Sequence, residues 1–146
     1  MAIELDAPAA EIWGLLRTLF GQHRRRFLGA ASELDLHPAQ AGALLQLDSP
    51  LPMRHLAALL GCDNSNVTGL VDRLEVRGLV TRQASDEDRR VKNIVLTDAG
   101  RRLREKLLDR VGRPASGLAR LEALEQIQLR DLLRKVLEEA SEPPAG

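Results

Sequence analysis

The sequence is short of rings and of sulfur: its 146 residues include two phenylalanines, one tryptophan, no tyrosine and a single cysteine. With 2% aromatic residues against 44% hydrophobic overall, the core has to be built from Leu, Val and Ala, a palette that suits helices better than sandwiches. The lone Cys62 excludes an intrachain disulfide framework and a zinc site of clustered thiols, and points to a reducing compartment. His23, His37 and His55 lie 14 and 18 residues apart, which is no local metal spacing. The first residues, MAIELDAPAAEIWGLL, carry acids where a signal peptide would be basic, and apolar runs span a few residues where a bilayer span needs about 20. A soluble, cytoplasmic chain is therefore expected. Also missing are a nucleophile elbow, a Gly-rich phosphate loop and paired metal ligands, so neither enzymatic activity nor a cofactor nor a metal is expected.

Net charge is absent too, since 21 basic residues balance 21 acidic ones. That zero is an average. Residues 73–110 hold eleven basic and seven acidic residues, net +4, while the blocks 1–36, 37–72 and 111–146 carry −1, −2 and −1. A neutral total thus coexists with a cationic segment of the kind that meets phosphates.

What is present is mostly helical periodicity. Ile12, Leu15, Leu16, Leu19, Phe20, His23, Phe27 and Ala30 recur at intervals of three and four, predicting a long amphipathic first helix whose other face carries Arg17 and the run Arg24-Arg25-Arg26. Pro38 opens a second helix over Ala41, Leu44, Leu45 and Leu47, stopped by Asp48-Ser49-Pro50. A third runs from about Met53 to Leu60 and ends at Gly61; a fourth, capped by Asp63 or a neighbour, runs from Ser65 to Arg77 and ends at Gly78. Two helices joined by three or four turn residues have helix-turn-helix spacing, with Ala57, Gly61 and Val67 at the small, left-handed and branched positions that a steep crossing needs. Val67, Leu70, Val71 and Leu74 form the inward stripe of the second helix. Ser65, Asn66, Thr68, Gly69, Asp72 and Arg73 remain outward, short polar groups followed by a cation, as insertion into a major groove would need.

After Gly78 the period becomes alternating. Leu79–Gln83 and Val91–Leu96 read as two strands around a polar tip, Ala84–Arg90. A two-stranded hairpin after a recognition helix is the wing of a winged-helix domain, and Arg89 and Arg90 suit a narrow minor groove. One ion pair between an arginine and Asp86 or Asp88 is expected to brace the tip, with the other arginine free. Thr97 and Asp98 then start a long helix through Leu103, Leu107 and Val111, broken near Gly112, Pro114 and Gly117. A last helix carries Leu124, Ile127, Leu132, Leu133, Val136 and Leu137 before a frayed tail from Ser141. The expectation is a single domain over 1–146, mostly α with a small β-wing: a winged helix-turn-helix lobe over about 36–97, and helices at about 8–34 and 98–140 whose apolar stripes suit dimerisation.

This order of elements resembles the MarR family of bacterial transcriptional regulators. The resemblance is densest over residues 56–100, LAALLGCDNSNVTGLVDRLEVRGLVTRQASDEDRRVKNIVLTDAG, similar to the family's LA, helix-turn-helix, VTxLVxxLExxGLV, D-x-D-R-R wing and LT-x-x-G pattern. It implies that Ser65, Asn66, Thr68, Gly69 and Arg73 face the major groove, that Asp88 braces Arg90 at the wing, and that Arg89, Arg54 and Arg77 are candidates for phosphate. It further implies a homodimeric repressor acting on a pseudo-palindromic operator in double-stranded DNA, and a small aromatic or phenolic effector. A pocket for that effector would lie near Trp13, Arg17 and His23. The peroxide-sensing branch carries its cysteine in the first helix, whereas Cys62 lies in the turn of the DNA-binding motif, where a buried apolar role fits it better. The alternative reading is a winged helix used for protein–protein contact or dimerisation without DNA, which predicts an apolar recognition face.

Overall fold

The computed structural model describes residues 7–112 and 117–140. The acidic start, Pro114 and the tail from Ser141 lie outside the described residues. The chain divides into two units, residues 1–111 and 112–146.

In the first unit, helix α1 (Ala7–Glu33) is followed by α2 (Pro38–Gln46), strand β1 (Leu51–Pro52), α3 (Met53–Leu60), α4 (Asn64–Val76), β2 (Val80–Ala84), β3 (Lys92–Leu96) and α5 (Asp98–Val111). Every helix expected from periodicity forms, with ends shifted by a residue or two. The sheet differs from the two-stranded expectation: β1 pairs antiparallel with β3, Leu51 opposite Ile94, giving the order β1-β3-β2. Two residues containing a proline give no alternating signal, but at a sheet edge a missing N–H costs nothing.

Three helices stop by the same device. After α3 and α4 the chain turns through Gly61 (φ 62) and Gly78 (φ 67), and Cys62 and Leu79 donate back to Ala57 O and Leu74 O. After α1 the left-handed position falls to Asp35 (φ 53), with Leu36 N–H on Ala31 O at 2.8 Å. At the other ends, His37 caps α2 with a reciprocal Gln40 bond, Asp63 caps α4, and Thr97 Oγ1 accepts from Gly100 N–H at the start of α5.

The core gathers Leu44, Leu47, Leu56, Val67, Val71, Leu74, Val80, Ile94 and Leu107, all essentially inaccessible. Each such side chain contributes about 1.5–3 kcal/mol by burial. Val80, Ile94 and Leu96 place the base of the hairpin in this core, which an isolated two-stranded hairpin would lack. The stripe of α1 is buried only at its C-terminal end, at Ala30 and Ala31, while Ile12, Trp13, Leu15, Leu19 and Phe20 stay more than half exposed. Cys62 is half-buried and packs against the core.

The second unit holds a short 3-10 turn (Leu118–Arg120) and α6 (Ala123–Ala140). Leu124, Ile127, Leu132, Leu133, Val136 and Leu137 are exposed on α6. The expected break after α5 falls at Gly112, with φ 78.

The start of α5 packs closely on the segment leaving α4. Thr97 N–H donates to Leu79 O at 3.1 Å, and Thr97 Oγ1 donates to Gly78 O at 2.6 Å. A Cβ on Gly100 would collide with Leu79 O and come within 3.0 Å of Leu79 C and 3.1 Å of Leu96 Cδ2. Gly100→Ala is therefore expected to lower stability in urea denaturation by about 3 kcal/mol, the upper end of overpacking costs. Gly29→Ala, helical with nothing within 4 Å of the added atom, should instead raise stability by up to about 1 kcal/mol.

Candidate nucleic-acid interface

The outward face of α4 begins at its cap. One oxygen of Asp63 accepts from Asn66 N–H (2.8 Å) and Ser65 Oγ–H (2.7 Å), and the other accepts from Asn66 Nδ2 (3.2 Å). The Asn66 backbone amide and then the Ser65 hydroxyl hold the Asp63 carboxyl below the ordinary carboxylate range. One turn on, Thr68 Oγ1 donates to Asn64 O at 2.8 Å. Ser65, Asn66, Thr68 and Arg73 are exposed and Gly69 is half-buried, so the predicted outward set lies on one exposed helix face, opposite Val67, Leu70, Val71 and Leu74. Arg54 is exposed in the first turn of α3, and among the described residues neither Arg54 nor Arg73 has an ion-pair partner.

Arg77 is used differently. Its Nη1 donates to Asp35 O (2.8 Å) and Gln40 Oε1 (3.3 Å), tying the end of α4 to the α1–α2 corner. That guanidinium edge satisfies the carbonyl of the left-handed Asp35 and the buried amide of Gln40, leaving the rest of the exposed side chain for solvent or phosphate.

The wing is braced through its backbone. Asp88 Oδ1 accepts from Arg90 N–H at 2.9 Å, Val91 N–H returns to Asp88 O at 2.9 Å, and Ser85 N–H donates to Val91 O at 2.9 Å. The expected ion pair at the tip does not form: among the described residues no carboxylate pairs with Arg89 or Arg90. An Asx turn holds the loop through an amide, and both guanidinium groups remain exposed.

A carboxylate at Asp72 among phosphate-facing groups is expected to be paired, with Arg73 or a wing arginine, and the partner is a wing arginine that patterning did not single out, Arg82. From β2 its guanidinium bridges Asp72 and Glu75 on α4, and its backbone N–H donates to Glu75 Oε1 at 3.3 Å. Asp72, then Glu75, raise the affinity of Arg82 for its proton. This network fixes the wing against the recognition helix and neutralises two carboxylates that would otherwise repel phosphates. The carboxylates stand at i and i+3, a spacing visible in sequence, but nothing local says which wing arginine pairs with Asp72 or that Glu75 shares it.

Trp13, Arg17 and His23 are all exposed on α1. No group of three or more His, Cys, Asp or Glu side chains among the described residues could hold a metal ion, and no described helix is long and apolar enough to cross a membrane.

A family model described as the MarR family matches residues 43–92. Among solved structures, CouR from Rhodococcus jostii RHA1, solved bound to p-coumaroyl-CoA, is 33% identical with a TM-score of 0.67, covering 90% of this chain and 95% of its own. A MarR family transcriptional regulator from Rhodococcus sp. RHA1 is 31% identical with a TM-score of 0.62, covering 90% and 97%. The transcriptional repressor MprA of Escherichia coli K12 is 34% identical over 100 residues, 65% of this chain and 57% of its own length. The chain spans about three fifths of the length of the curated relatives it matches, from 57% to 64%.

Arg82→Met should lower stability by about 1 kcal/mol, as expected for a partly exposed ion network, and should speed hydrogen exchange at the wing amides more than in α2. The Asp63 cap contributes most when ionised. Its stabilisation is present above the unfolded carboxyl pKa and is lost as pH falls through the lower folded value. The acid limb of a pH–stability curve should therefore flatten in Asp63→Ala.

Proposed function

The chain belongs to the MarR family of transcriptional regulators, and from that premise we propose that it is a cytoplasmic, homodimeric repressor that binds a pseudo-palindromic operator and is released by a small phenolic effector. One observation carries the DNA-binding part. The polar first turns of α4 and the unpaired Arg89 and Arg90 are held on one rigid lobe by the Arg82 network. Ser65, Asn66, Thr68, Gly69 and Arg73 read the major groove, Arg90 enters the minor groove, and Arg89, Arg54 and Arg77 meet phosphates. Asp88 positions Arg90 through the backbone. A polar recognition face disfavours a winged helix used only for protein contact.

Dimerisation is supported by the apolar side chains that α1 and α6 leave exposed. Two lobes related by a two-fold axis would present recognition helices about one DNA turn, roughly 34 Å, apart. Repression is supported by the likeness to MprA. An effector is supported by the likeness to CouR, solved with p-coumaroyl-CoA, and Trp13, Arg17 and His23 on α1 are the residues a second chain would help to enclose.

Selection from random duplexes, followed by titration of the selected site, tests the reading. Two chains should bind per site, with log affinity falling by about 0.9 per phosphate contact for each unit of log salt. Arg90→Ala should weaken specific binding by about 1–3 kcal/mol. Sequence-blind, salt-insensitive binding would refute the proposal.

A further inference from the structure

Most of the hydrogens that the uncharged side chains in the first turns of α4 could offer are already spent. A carboxylate only accepts, so both Ser65 Oγ and Asn66 Nδ2 must donate to Asp63. A carbonyl likewise only accepts, so the Thr68 hydroxyl must donate to Asn64 O. The Asp63 contact also fixes the amide of Asn66, because turning it over would set Oδ1 against a carboxylate oxygen. Ser65 Oγ, Asn66 Oδ1 and Thr68 Oγ1 are left with lone pairs, and one Asn66 N–H is the single donor that these three exposed side chains still offer.

In the major groove, only adenine N6 and cytosine N4 present hydrogens; guanine offers O6 and N7, and thymine offers O4 beside a methyl. Against an acceptor-rich helix turn, a guanine or thymine edge would face oxygen with oxygen unless the Asp63 bonds were broken first. Building on the DNA-reading function proposed above, we infer that Asp63 is a specificity-positioning residue: by engaging the hydrogens of Ser65 and Asn66 it makes the first turns of α4 a reader of exocyclic amino groups. Arg73, one turn further along α4, reads beside this array as a cationic donor and the wing adds minor-groove and phosphate contacts, whereas the acceptor array itself chooses adenine or cytosine at the bases it meets.

The experiment uses the full chain and the operator it selects. Each adenine in a half-site is replaced by purine and each cytosine by 2-pyrimidinone, deleting the amino group, with the same replacements outside the half-sites as controls for the weakened base pair. At least one deletion per half-site should reduce affinity on the order of tenfold beyond its control. Asp63→Ser, which keeps a capping oxygen but frees the donors, should reduce several-fold the penalty for exchanging the sensitive adenine for guanine, or cytosine for thymine, in both half-sites, because freed hydroxyl and amide hydrogens can meet the carbonyl. A selected operator that tolerates every deletion within twofold overturns the inference and leaves the DNA-binding reading standing. An unchanged penalty for that exchange in Asp63→Ser overturns the role of Asp63. If no operator is selected, the functional reading falls, and the inference with it.

Discussion

The structure depends on how closely α5 approaches the chain leaving the recognition helix. Gly100 has no side chain, so the first turn of α5 can rest on the Leu79 backbone, and Thr97 fastens the contact by donating to Gly78 O while accepting from Gly100 N–H. One hydroxyl thus serves the turn that ends α4, by donating to the Gly78 carbonyl, and satisfies an orphan amide of α5. Because α5 also packs along α1, tied by Arg110 to Glu33 at 2.9 Å, the recognition helix is attached to the long first helix through close-packed parts rather than a flexible linker. A displacement of α1 relative to the lobe has little slack to absorb it.

On the exposed side the same rigidity is achieved with polar groups. Arg82 holds two carboxylates of α4 to the wing, Arg77 holds the end of α4 to the α1–α2 corner, and Asp63 holds the first turn. These bonds are partly exposed and individually modest, so their effect lies in orientation more than in stability. A side chain already ordered loses less rotamer entropy on binding. The arginines of the wing tip are the exception, ordered in backbone by Asp88 but free in side chain. That would suit the groove contact proposed for Arg90.

Much of the fold was legible in the sequence because its signals are local. The stripe Val67, Leu70, Val71 and Leu74, the turn glycines Gly61 and Gly78, and the Thr97 cap are each specified within a few residues, and all stand where patterning puts them. The failures share a physical origin in partners distant along the chain. β1 exists only because β3 offers it an edge; Asp35 tolerates a positive φ where Arg77, 42 residues on, binds its carbonyl; and the Arg82 network joins strand to helix. At the interface, sequence shows which residues face outward but not which hydrogens are spent. Asp63 was legible as a cap, and its hold on Ser65 and Asn66 was not, since that depends on rotamers. The wing tip is instructive in the same way, as an Asp two residues before an Arg suggests an ion pair yet binds its backbone amide.

The stripe of α1 runs from Ala30 and Ala31 inside the lobe, past half-buried Phe27 and exposed His23, to Phe20, Leu19 and Ile12 outside it. In the proposed dimer one helix would therefore belong to two cores, one completed by the chain itself and the other by a second chain. Folding and assembly then share a single hydrophobic surface, so in a dimer mass action enters the folding equilibrium and the melting temperature rises with protein concentration. The amount of regulator in the cell would set how durable each molecule is, as well as how much of its target is occupied.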